Sequence, residues 1–192
     1  MADKEKYNMN QKFADLFFEA NMLTRLPRSG YQFLGAGQES VAEHSFMTAF
    51  ICFTMAKMEP KVDGGKIVSM ALVHDFAEAR TGDLNYVQKQ YVTAREDLAL
   101  SRMAEGFPLG ESIVALVNEF NQGETREAML ARDADQLSFI LELKKLQDIG
   151  AKTPDKWLPH VLERLKTDTG RTLAHALLSS NWDDWWLKNY SE

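Results

Sequence analysis

His74 and Asp75 stand at the end of the apolar run 67–73 and are followed by Phe76, Ala77 and Glu78. Burying an imidazole beside a carboxylate is costly unless something satisfies both, and a divalent cation does so well. The spacing predicts a helix over 64–78, in which His74 and Glu78 (four apart) and Asp75 and Glu78 (three apart) converge at one helix end. Asp83 follows the helix-stopping Gly82 and is placed to fold back toward that end. A lone histidine on an apolar helix is most simply a hydrogen-bonded core residue. Three titratable groups at one buried end repel and desolvate one another unless a cation or protons compensate, which favours a metal.

A second imidazole, His44, follows Ser40-Val41-Ala42-Glu43. This is a capping box, with Ser40 accepting from the Glu43 amide and the Glu43 side chain returning to the Ser40 amide. His44 therefore falls in a first helical turn, where a neutral, metal-bound ring suits the helix dipole better than a charged one. A further ligand is expected from Arg132-Asp133-Ala134-Asp135. The two aspartates point to different faces, and periodicity does not choose between them. His160 and His175 lack carboxylates at ligand spacing and read as surface residues, so one ion is expected rather than two.

Apolar residues recur at helical spacing, and no hairpin signal separates alternating runs, so the expected class is all-α. Helices are predicted at about 8–25, 41–58, 64–78, 87–105, 109–121, 124–149, 154–167, 169–179 and 181–188, joined across 26–39 by a loop with three glycines and a proline. A chain of 192 residues, 45% hydrophobic and 26% charged, fits one domain over 1–192, with a core at about 10–165 and aromatic-rich C-terminal helices at 169–188. The formal charge of −6, from 22 basic and 28 acidic residues, argues against a nucleic-acid polymer as partner but not against a small phosphorylated substrate. The single cysteine, Cys52, lies in an apolar stretch and suits a reducing compartment. A charged N-terminus and the lack of a membrane-length apolar run lead us to expect a cytoplasmic protein with no membrane partner. Trp182, Trp185, Trp186 and Tyr190 suggest C-terminal packing or a homodimer contact.

The ordered set His44, His74-Asp75 and Asp135 resembles the HD-domain superfamily of metal-dependent phosphohydrolases. The likeness is carried by Glu39-Ser40-Val41-Ala42-Glu43-His44 and by the segment 72–83. It implies a helical bundle of the HD-domain type with His44, His74, Asp75 and Asp135 as ligands to one divalent ion, Asp135 being preferred because the family aspartate sits in an Ala-Asp-x-Leu context. More narrowly, 24–31 (Thr-Arg-Leu-Pro-Arg-Ser-Gly-Tyr) resembles the bacterial 5′-deoxynucleotidases and their eukaryotic HD-domain relatives. That resemblance implies hydrolysis of a nucleoside 5′-monophosphate, with Glu78 moving the proton, Arg25 and Arg28 on the phosphate and Asp83 on the sugar. The mixed donor set suits Mn, Fe, Co or Zn better than Mg. Leu26 departs from the tryptophan that the bacterial enzymes carry after the first arginine, which leaves deoxy selectivity open. A nucleotide-sensing regulatory module is the competing expectation, and an HD-fold oxygenase, which needs more ligands, a weaker one.

Overall fold

The computed structural model describes residues 2–106 and 108–190. Helices α1 (Ala2–Met22), α2 (Tyr31–Leu34), α3 (Val41–Met58), α4 (Gly64–Val73), α5 (Glu78–Thr81) and α6 (Glu96–Ala104) make up the first half. The second half holds α7 (Pro108–Gln122), α8 (Arg126–Asp148), α9 (Pro154–Leu162), α10 (Asp168–Leu178) and α11 (Asp184–Leu187). Short 3₁₀ turns lie at Gln88–Gln90 and Lys188–Tyr190. No strand forms among the described residues, whose one β-bridge joins Pro27 to Ser40, so the all-α expectation is met.

At the centre α3, α4 and α8 pack on one another, burying Met55, Ile67, Met70, Leu130, Leu137 and Leu143. Each such side chain contributes about 1.5–3 kcal/mol when removed from water. A second apolar cluster gathers Leu16 of α1, Leu23 of the turn after it, Leu100 and Met103 of α6, and Ile113 and Val117 of α7. The doublet His74-Asp75 sits between the two clusters. Met70 and Ala71 belong to the first and Phe76 and Ala77 to the second, so the chain is anchored on both sides of the polar pair.

The predicted helix 64–78 is corrected here. Helix α4 stops at Val73, and Glu78 opens the separate α5. The His74 ring takes the Ala71 carbonyl through Nδ1 at 2.7 Å. Beyond that point the backbone continues in i→i+3 bonds, Phe76 to Val73, Glu78 to Asp75 and Ala79 to Phe76, a tighter winding that re-aims the side chains. The predicted helix 87–105 also divides, into a 3₁₀ turn capped by Asn85 Oδ1, an irregular 91–95, and α6. Tyr91 and Val92 are exposed and have no apolar face to hold a longer helix. The Ser40–Glu43 capping box forms as expected, and Cys52 is buried. Trp157 packs edge-on against Phe139, with centroids 5.9 Å apart, whereas Trp182, Trp185 and Tyr190 are exposed.

Candidate metal centre

Three packed elements bring the polar residues together. Helix α3 starts abruptly at its capping box and sets His44 in its first turn, wholly buried. The turn after α4 supplies His74 and Asp75, and the inward face of α8 supplies Asp135. The two imidazole rings lie 5.4 Å apart between centroids, and His74 also rests on Phe120 at 4.8 Å.

His44, His74 and Asp75 each offer a ligand atom within 4.8 Å of the others. Asp75 Oδ2 lies 3.2 Å from His74 Nε2 and 3.9 Å from His44 Nε2, while Asp135 Oδ1 lies 2.9 Å from His44 Nε2. Both Nε2 atoms are buried without a hydrogen bond. Their Nδ1 atoms are engaged, His74 with the Ala71 carbonyl and His44 with Ser138 Oγ at 3.2 Å. A carbonyl only accepts, so Nδ1 of a neutral His74 carries the proton and Nε2 offers its lone pair; a His44 Nδ1–H donated to Ser138 does the same for the other ring. Two such lone pairs facing two carboxylates are the donor set of a divalent transition ion, and the residues present fit one.

Charge around the cluster is strongly coupled. Burial alone would lower the His74 pKa, but the adjacent Asp75 carboxylate outweighs it and pushes the pKa up to about 9. Burial would raise Asp75, yet His74 and then Arg28 hold it well below the usual carboxylate range. Burial, with Asp75 and Asp83 next in effect, pushes Glu78 up to about 9, and its Oε2 is buried and unpartnered. A carboxyl group that keeps its proton near neutral pH thus stands beside the cluster. Asp75 and Asp135 keep 19% and 23% of their side-chain surface exposed, so the centre opens on its carboxylate side.

The remaining expected residues divide. Arg28 reaches the cluster, its Nη1 3.1 Å from Asp75 Oδ2, whereas Arg25 is exposed on the turn after α1. Asp83 Oδ2 accepts from the Ser29 amide at 2.7 Å and so pins the loop that carries Arg28. Asp133, which periodicity could not separate from Asp135, is wholly buried away from the imidazoles. It accepts from Lys166 N (2.8 Å), Thr167 N (2.7 Å) and Thr167 Oγ1 (2.6 Å) at the start of α10. Ser138 and the Ala71 carbonyl, the partners that orient the rings, were not singled out from the sequence. The spacing of Ser138 three residues after Asp135 is the signal that could have found the first. His160 and His175 are exposed.

The HD domain family model matches residues 20–177. The chain belongs to the HD domain family. It is 27% identical over 136 residues to the Homo sapiens protein named 5′-deoxynucleotidase HDDC2, a match covering 68% of this chain and 66% of that one. A Dictyostelium discoideum protein of the same name is 29% identical over 144 residues, covering 68% and 75%. The chain thus spans about two thirds of the length of the mammalian relative. Among solved structures, a conserved hypothetical protein from Pyrococcus furiosus superposes with a TM-score of 0.72 at 30% identity, covering 85% of this chain and 96% of that one. A protein described as a predicted metal-dependent phosphohydrolase, from Magnetospirillum magnetotacticum, gives 0.65 at 25% identity, covering 88% and 92%.

Proposed function

We propose that this chain is a metal-dependent phosphomonoester hydrolase that converts nucleoside 5′-monophosphates, deoxy forms included, to nucleoside and inorganic phosphate. The observation that carries this reading is the pair of buried, unpartnered imidazole Nε2 atoms facing Asp75 and Asp135, with the protonatable Glu78 and the cationic Arg28 alongside. The names of the relatives support the reaction class, and the sequence resemblance supports the substrate class.

In this reading His44, His74, Asp75 and Asp135 hold one divalent ion, Mn, Fe, Co or Zn. Bound there, such an ion supplies Lewis-acid neutralisation of phosphoryl charge and activation of water. The protein's own groups do the rest. Arg28 places a guanidinium where two phosphoryl oxygens can take paired hydrogen bonds. As the bond from water oxygen to phosphorus forms and the bond from phosphorus to O5′ breaks, Glu78 gives its proton to the leaving alkoxide and recovers one from the attacking water. Asp83 holds the Arg28 loop through Ser29 and offers its second oxygen to a sugar hydroxyl. Leu26 stands where the bacterial enzymes carry a tryptophan, so the choice between ribo and deoxy sugars is read from the substrate panel below. The buried Cys52 thiol is compatible with a cytoplasmic setting.

Phosphate release from a panel of ribo and deoxy 5′-monophosphates, run with each candidate ion, tests the proposal. Turnover of at least one member is expected. Nucleotide binding without release across the whole panel would replace it with the sensing module.

A further inference from the structure

The two imidazoles of the centre are held differently. At His74 the Nδ1 partner is the Ala71 carbonyl at 2.7 Å, which only accepts, so that nitrogen keeps its proton in every state of the ring. At His44 the partner is the Ser138 hydroxyl at 3.2 Å, which can accept or donate. The proton position is therefore fixed at one ring and free to exchange at the other.

Helix α8 grips His44 at both nitrogens. Asp135 Oδ1 lies 2.9 Å from Nε2, and Ser138, three residues on and so on the same face, takes Nδ1. His44 is wholly buried and Ser138 only 1% exposed, so bulk water does not reach the Nδ1 contact. Ala134 and Leu137 beside Ser138 on α8 are also buried, and a hydroxyl in such a setting is costly unless it is bonded. The imidazole is the partner that accounts for it.

Two carboxylates face His44 Nε2, Asp135 at 2.9 Å and Asp75 at 3.9 Å. Without a cation they repel a lone pair on that nitrogen, so a neutral ring is better served by a proton there, with Ser138 donating to Nδ1. With a cation between them, Nε2 has to present its lone pair and Nδ1 carries the proton. The ring stays neutral, because Nε2 gives one proton to solvent and Nδ1 gains one. Ser138 then accepts from Nδ1, and its own O–H turns to the Ala134 carbonyl four residues back, an acceptor with two lone pairs. Alanine at 138 would leave the Nδ1 proton buried without an acceptor.

We propose that Ser138 is the positioning residue through which His44 changes tautomer as the ion enters, and that its hydroxyl sets how tightly the centre holds that ion. This role rests on the four-ligand centre proposed above and is independent of the substrate.

Zinc titration against a competing chelating dye measures the affinity. Ser138→Ala should bind one ion per chain roughly 10- to 100-fold more weakly than the wild type, the usual cost of a lost ring partner, with the helical circular dichroism unchanged. Ser138→Thr, which keeps the hydroxyl, should restore most of that loss. Long-range proton–nitrogen NMR of the wild type reads the tautomer with no substitution at all. His74 should keep Nδ1 protonated with and without zinc, whereas the His44 proton should move from Nε2 to Nδ1 as zinc is added. Equal zinc affinity in Ser138→Ala, or a His44 ring protonated on the same nitrogen before and after loading, would overturn the proposal and leave the metal centre standing. A wild-type chain that takes up no ion would overturn both.

Discussion

Arg28 contacts Asp75 across 47 residues of chain, Nη1 to Oδ2 at 3.1 Å, and so ties the loop after α1 to the doublet after α4. Only 19% of either side chain is exposed. A guanidinium held this way is oriented before substrate arrives, and the entropy of fixing a long side chain has already been met in the fold.

Replacing Arg28 by Ala should therefore raise the Michaelis constant for every monophosphate alike, by roughly 10- to 100-fold, the worth of a charge-assisted pair. Arg25→Ala should move it far less, because Arg25 is exposed on the turn. Steady-state kinetics on purine and pyrimidine substrates check both, and an effect confined to one base would contradict a phosphate role for Arg28.

Glu78→Gln keeps the shape of a side chain whose Oε2 is buried without a partner but removes its ability to exchange a proton. Turnover should fall by about 10²- to 10⁴-fold while bound metal, read by elemental analysis, stays near one ion per chain. Near-normal turnover in this variant would remove Glu78 from the mechanism.

The two aspartates of α8 should separate cleanly. Asp135→Ala, like His44→Ala, should lose the ion. Asp133→Ala should still take up one ion per chain at saturating metal but unfold more easily by about 2–4 kcal/mol, because the Lys166 and Thr167 amides lose their acceptor in the interior. Chemical denaturation beside metal titration distinguishes the two outcomes.

Glu39 gives a pH test away from the ligands. Burial, with Glu142 adding to it, pushes its pKa from 4.5 up to about 7, against the opposing pull of Arg28. Between those values the folded chain holds a proton that the unfolded chain releases. The contribution to stability is thus fully present below about pH 4.5 and is lost as pH rises through 7. Glu39→Gln should remove this slope. From pH 5 to pH 8 the wild type should lose roughly 1–2 kcal/mol relative to the variant, measured by urea unfolding of both proteins at each pH.

Helical class, the Ser40 cap and the pairing of His74 with Asp75 were legible because each rests on local spacing, whereas His44 joined the doublet only through the family resemblance. The break after Val73 was not legible, since it depends on a side chain taking a backbone carbonyl, which hydrophobic periodicity does not register. Nor did periodicity separate Asp133 from Asp135. Both lie on an amphipathic helix, and the partners that tell them apart come from α10 in one case and α3 in the other. The order of the two arginines was equally hidden, because the direction of an irregular loop is set by a distant contact, here Ser29 to Asp83.

The small size of Gly170 has a mechanical consequence for the aim of Asp135. Any side chain there would collide with the Asp133 carboxylate, so the bare glycine lets α10 clamp that residue. Because Asp133 and Asp135 share a helix two residues apart, the clamp fixes the roll of α8 about its own axis and with it the aim of Asp135. The segment beyond residue 165, which supplies no ligand, works as a torsional brace, and trimming it there would leave the donor set intact in composition but slack in geometry.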